Sequence, residues 1–165
     1  MADDFDVQVG QWVRRARENA RIAFVAIGFE ALSRVKELTP VRTGWLRSNW
    51  QIQREGEAVP VQRSAIPTDP VEAQRLLDQL KAEAEEGRSP AALAEAAAQA
   101  QLGEKLRIVN PVIYARAVEY GREIERKDGG ITTTTAAGMA AQTALEIPEM
   151  ARAIVDAIRQ GRSRV

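Results

Sequence analysis

The chain has 165 residues, no cysteine and no histidine, and its 23 basic residues balance 23 acidic ones. That length suits one domain with a sizeable core, and the missing side chains exclude thiolate nucleophiles, disulfides, Cys/His zinc sites and any triad with an imidazole base. Zero net charge gives no global attraction to nucleic acid, so a role near DNA must rest on local charge, while carboxylate, Lys, Ser, Thr and Tyr chemistry stays open.

From about Phe5 to Leu38 the sequence predicts one long helix, because Trp12, Ala16, Ala20, Phe24, Ile27, Ala31, Val35 and Leu38 recur three or four residues apart. Ile22, Val25, Phe29 and Leu32 add a second apolar face that needs a second packing partner. That partner is either another subunit or the rest of the same chain. The four residues are candidates for a subunit interface, together with Trp45 and Trp50. The longest nearly uncharged apolar run, Ile22 to Phe29, falls short of the roughly 20 residues that cross a bilayer. With Asp3, Asp4 and Asp6 ahead of it, it makes a poor signal peptide, and the expectation is a soluble, unexported protein without a membrane partner.

Pro40 ends the helix, and Val41-Arg42-Thr43-Gly44 reads as a turn in which glycine supplies the unusual backbone conformation. A strand is expected next, from Trp45 through Leu46, Trp50 and Ile52, with loop from Arg54 to Pro67. Residues 69–103 form a block without aromatics. Asp69-Pro70-Val71-Glu72 opens a helix that Gly87 can end, and Ser89-Pro90 opens a second that Gly103 ends. Seven acidic residues against three basic ones leave this block at −4 and the remainder at +4. It is expected to be a peripheral helical hairpin that adds little to a shared core.

Lys105 to Val109 fits a short strand closed by Asn110-Pro111, and Val112 to Tyr120 a short helix ended by Gly121. Arg122 to Asp128 reads as a charged exposed loop, Ile131 with four threonines as β-prone, and Thr135 to Gln160 as helix kinked or divided at Pro148. The order gives an α+β fold: long N-terminal and C-terminal helices on a small antiparallel sheet, with a helical insertion at 69–103 in a single domain, 1–165.

No glycine-rich phosphate loop, nucleophile elbow or calcium loop is present. Glu119 and Glu123 would share a helical face if the short helix reached that far, a pairing that can raise a carboxyl pKa, but Gly121 stands between them in a charged stretch. No catalytic residue, metal site or cofactor is assigned, and the chain is expected not to be an enzyme. Arginine supplies 19 of the basic residues, which suits interfaces and phosphate contacts, although a GC-rich genome would enrich alanine and arginine together.

Two segments then stand out together. Thr39-Pro40-Val41-Arg42-Thr43-Gly44-Trp45-Leu46-Arg47-Ser48 follows the long helix, and Val109-Asn110-Pro111-Val112-Ile113-Tyr114-Ala115 runs to Val118-Glu119-Tyr120-Gly121. They resemble the tail-completion, or head–tail joining, proteins of long-tailed bacteriophages, akin to the minor tail protein Z group. The resemblance covers about half the chain, through Thr43, Gly44 and Leu46 in the first motif and Asn110, Tyr114, Ala115, Glu119, Tyr120 and Gly121 in the second. The insertion at 69–103, Arg122 after the glycine and the threonine run depart from the family pattern.

The resemblance implies a non-catalytic virion protein of the neck or upper tail, assembled in the host cytoplasm as a homo-oligomeric ring, sixfold by analogy. Its partners would be itself and neighbouring neck and tail proteins such as the stopper, the terminator or the tail tube. Phage DNA would pass through its channel without sequence-specific contact. Alternative readings are a tail terminator or a non-viral nucleic-acid-binding module, the latter marked by steep salt dependence of DNA binding.

Overall fold

A computed structural model describes residues 2–41, 44–54, 58, 69, 71–72, 74–75, 78–79, 82, 86, 89–125 and 131–161. Its elements are α1 (Ala2–Leu38), α2 (Trp45–Ser48), β1 (Gln51–Arg54), α3 (Pro90–Gln99), β2 (Leu106–Val109), α4 (Ala115–Tyr120), β3 (Arg122–Glu125), β4 (Ile131–Thr134) and α5 (Met139–Arg159). The fold is α+β, with a long helix at each end and β1 paired antiparallel to β2, Ile52 opposite Ile108. A second antiparallel pair joins β3 to β4, with Glu123 opposite Thr133.

The long helix forms as its apolar spacing predicts, and its length is set by Thr39 and Pro40. Thr39 is buried; its hydroxyl donates to the Val35 carbonyl at 2.6 Å and accepts from the Trp50 indole at 2.8 Å. The end of the helix and the start of the sheet are thereby bonded through one side chain. Arg47 adds a second closure, donating to the carbonyls of Glu37 and Thr39, both at 3.2 Å, where a cation also meets the negative end of the helix dipole. Partial burial holds its guanidinium below its ordinary pKa.

Trp45 does not begin a strand. Gly44 adopts φ 76° and ψ −12°, and the next four residues make a single helical turn. The Trp45 carbonyl accepts from Ser48 Oγ and Asn49 Nδ2, both at 2.9 Å, so local side chains satisfy the backbone that a strand would have offered to a neighbour. The strand is confined to Gln51–Arg54.

The core has two parts along α1. Val35, Leu46, Trp50, Val112, Ala115 and Met139 form one, with Leu32, Trp45 and Val118 packed against it. Val25, Ala26, Leu93, Ala97, Ala100 and Ile154 form the other, with Ile22 and Phe29 against it. The second apolar face of α1 is therefore packed largely within the chain, Ile22, Val25 and Phe29 in the part completed by α3 and α5 and Leu32 in the other. Val25 and Trp50 are 3% and 6% exposed and cannot serve as an open interface. Ile22, Phe29, Leu32 and Trp45 retain part of their surface, Phe29 and Leu32 along a groove of about 320 Å³ between α1, β1 and α3.

This arrangement also corrects the picture of a peripheral insertion. Ser89 Oγ caps α3 by accepting from Ala92 N at 3.2 Å, and Leu93, Ala97 and Ala100 are buried. Alanines add little apolar area each, but they let α3 close on α1. Arg54 of β1 then donates to the Gln99 and Ala96 carbonyls at 3.3 and 3.4 Å, fixing the end of α3 to the sheet. Of the first insertion helix, the expected start is seen: Asp69 Oδ1 accepts from Val71 N at 2.6 Å and Glu72 N at 3.3 Å.

Gly28 allows the sheet to approach α1, since a Cβ there would lie 3.1 Å from Leu106 Cδ1. At the far end α5 is one helix with Pro148 inside it. Arg34 of α1 clasps Glu146 of α5, its Nη2 3.0 Å from Oε1 and its Nε on Oε2. The hydrogen bond from Arg34, and after it one from Gln142, holds the Glu146 carboxyl below the ordinary carboxylate range, and the same contact raises Arg34.

Candidate functional site

The two motif segments, separate in sequence, form one corner of the fold. Asn110 follows β2, and its amide Nδ2 donates to the Leu46 carbonyl at 2.8 Å while its Oδ1 accepts from Val112 N at 3.1 Å. One carboxamide thus ties α2 to the turn leading into α4. Leu46, Val112 and Ala115 are buried together beneath this bond, and above it the rings of Trp45 and Tyr114 lie 5.5 Å apart at 49°. Such tilted aromatic pairs contribute about 0.5–1.5 kcal/mol beyond their burial. Burial of part of the Tyr114 phenol raises its pKa.

Glu119 has a specific structural role. It is 8% exposed, and its two carboxylate oxygens accept from Ala140 N and Ala141 N, each at 3.0 Å, at the start of α5. Gly138 takes φ 60° before that helix and brings no side-chain cap, so the carboxylate of a distant residue satisfies the first free amides. The Val118 and Glu119 carbonyls accept from Ala137 N at 2.8 Å and Gly138 N at 3.1 Å, completing the junction. Glu123 lies in β3, so the two glutamates do not share a helical face. The expected charged loop at 122–128 is likewise strand over Arg122–Glu125, and residues 126–128 lie outside the described residues.

Gly121 ends α4 at φ 76° and ψ 165°, a conformation open essentially to glycine alone. Thr43 lies outside the described residues, whereas Tyr120 is 73% exposed beside the corner's buried residues. Ile113 is 97% exposed at the tip of the turn before α4.

Sequence reasoning identified these positions as motif members but not the job of Asn110 or Glu119. The signal for Glu119 was present in its counterpart: Gly138-Met139-Ala140 opens a helix without a Ser, Thr, Asp or Asn to cap it, which calls for a carboxylate from elsewhere.

A second surface stands apart from this corner. Phe5, Val7 and Trp12 on the first half of α1 are 67%, 54% and 70% exposed. Among the described residues no cluster of three or more carboxylates is placed to hold a metal ion, and no helix is long and apolar enough to cross a membrane. No family model, curated protein or solved structure matches the chain.

Proposed function

We propose that this chain is a non-catalytic structural subunit of a long-tailed phage neck or upper tail, assembling with itself in a ring, sixfold by analogy with the family its motifs resemble. The observation that carries this reading is the corner itself. The two segments on which the resemblance rests lie 64 positions apart at Asn110 and Leu46, yet they meet through one buried-edge hydrogen bond and one aromatic pair.

Three carboxylates serve construction: Glu119 caps α5, Glu146 clasps Arg34, and Glu104 meets Arg54 at 3.6 Å. The exposed apolar half of α1 gives the chain surface to assemble with. The phage neck as location, and neighbouring stopper, terminator or tail-tube proteins as partners, follow from the resemblance. DNA would pass without base-specific contact.

The test is peptide mapping of tailed particles purified from a lysate of the producing strain. The chain should be present at a fixed, low copy number per particle and should stay with tails or necks when particles are dissociated. Particles complete in capsid, portal and tail tube but lacking the chain would contradict the proposal.

A further inference from the structure

The first half of α1 extends beyond the rest of the described fold. α5 runs back along α1, clasping Arg34 through Glu146, and its last turn reaches α1 near Ala20, where Ile158 and Arg159 line a groove with Ala16 and Trp12. Residues 2–11 lie beyond the groove that α5 borders, roughly 15 Å of helix at about 1.5 Å per residue.

Its sequence carries the pattern of a paired helix. Phe5, Val9, Trp12, Ala16, Asn19 and Ala23 are spaced alternately four and three apart, the seam along which two helices interlock. Val155 and Ile158 of α5 cover the Ala23 end of that seam, bordering the groove of about 650 Å³. Toward Phe5 it is open: Phe5, Val9 and Trp12 are 67%, 42% and 70% exposed.

Charge identifies the occupant. Residues 2–10 hold Asp3, Asp4 and Asp6 and no base, whereas residues 11–21 hold Arg14, Arg15, Arg17 and Arg21 against Glu18 alone. Two such helices laid parallel would set acid on acid and base on base along the flanks of the seam; laid antiparallel, Asp4 and Asp6 come beside the other copy's Arg15 and Arg17, while Arg14 and Arg21 lie on the far face. The same overlap sets Phe5 over the small Ala16 and Val9 beside Trp12.

We propose that two copies of the chain pair through the first halves of their α1 helices, antiparallel, with Phe5 of one at Ala16 of the other. The pairing rests on the self-association in the reading above, but not on the ring or the virion. It is two-fold and closes on itself, so a ring would need a separate head-to-tail contact.

The chain has no cysteine, so introduced thiols report alone. Phe5→Cys and Ala16→Cys chains, mixed and mildly oxidised, should give mainly the mixed 5–16 disulfide; a predominance of 5–5 and 16–16 products overturns the arrangement. In parallel, Asp4→Arg with Asp6→Arg should weaken dimerisation on the order of tenfold. Adding Arg15→Asp and Arg17→Asp to the same chain, which reverses the charges on both flanks of the seam, should restore it. Dimerisation indifferent to these reversals overturns the proposal while leaving self-association intact. A strict monomer overturns the proposal as well, and the particle analysis then decides the virion reading separately.

Discussion

The Asn110 carboxamide joins the turn after β2 to the helical turn before β1, donating to the Leu46 carbonyl at 2.8 Å. Because the same side chain also accepts from Val112 N, Asn110→Ala strands a donor and an acceptor at once. The expected loss is about 1–3 kcal/mol of unfolding free energy, measured by urea denaturation. Asn110→Asp should cost at least as much, since a carboxylate would face the Leu46 carbonyl without a proton to donate. Parent-like stability of both variants would remove the bond from the account.

Glu119 should behave as a remote helix cap. Glu119→Ala is expected to destabilise by about 1–2 kcal/mol, and Glu119→Gln by less, because one acceptor survives. Hydrogen exchange offers the more specific readout: protection should fall first at Ala140 and Ala141, whose amides the carboxylate accepts from. Uniform loss across the molecule would speak against a capping role.

The Arg34 clasp predicts an acid-dependent component of stability. Glu146 has its folded pKa depressed, so the contact contributes fully above the ordinary value of 4.5 and is lost as pH falls through the folded value. Glu146→Gln should lower stability at neutral pH and narrow its gap to the parent as the solution is acidified below 4.5. A gap that does not change with pH would contradict the linkage.

Gly44 and Gly121 both have φ 76°, but their ψ values of −12° and 165° separate their tolerance. Left-handed helical backbone at Gly44 admits Asn at small cost, whereas the conformation at Gly121 is nearly closed to any side chain. Gly121→Ala should therefore cost about 1–3 kcal/mol, and more than Gly44→Asn, in thermal melts of the two variants. The reverse order would mean that the α4 to β3 junction relaxes into another conformation.

The insertion is no longer expected to be dispensable. Leu93, Ala97 and Ala100 are buried against Val25 and Ala26, so Leu93→Ala should destabilise by about 2–5 kcal/mol. Replacing residues 69–103 by a short Gly/Ser loop should expose that part of α1 and lower the denaturation midpoint sharply. A deletion as stable as the parent would place α3 outside the core.

The helical stripe of α1, the pairing of the strands around 52 and 108 and the turns at Gly44 and Gly121 were legible because periodicity and glycine placement are local signals. Less legible was whatever depended on a side-chain hydrogen bond or on a distant partner. Trp45 read as strand because Trp50 and Ile52 alternate, but Ser48 and Asn49 satisfy its carbonyl locally and turn the chain into a helix first. The Ala-rich α3 read as solvated, since nothing in its composition announces that Val25 and Ala26 lie opposite. Gly28 lacked any motif, and its role emerges only when Leu106 lies 3.1 Å from where a Cβ would be. The two motif segments were singled out in the sequence, while their meeting in one corner, through a carboxamide and a carboxylate each joining distant backbone, required coordinates.

Self-assembly is the central claim, and native mass spectrometry over a concentration series, with the full chain at moderate ionic strength, tests it most directly. Each copy has a mass of 18.1 kDa. The expected spectrum shows paired copies first and, where a ring closes, a species of six copies at higher concentration. A single 18.1 kDa species across the whole series would contradict the account.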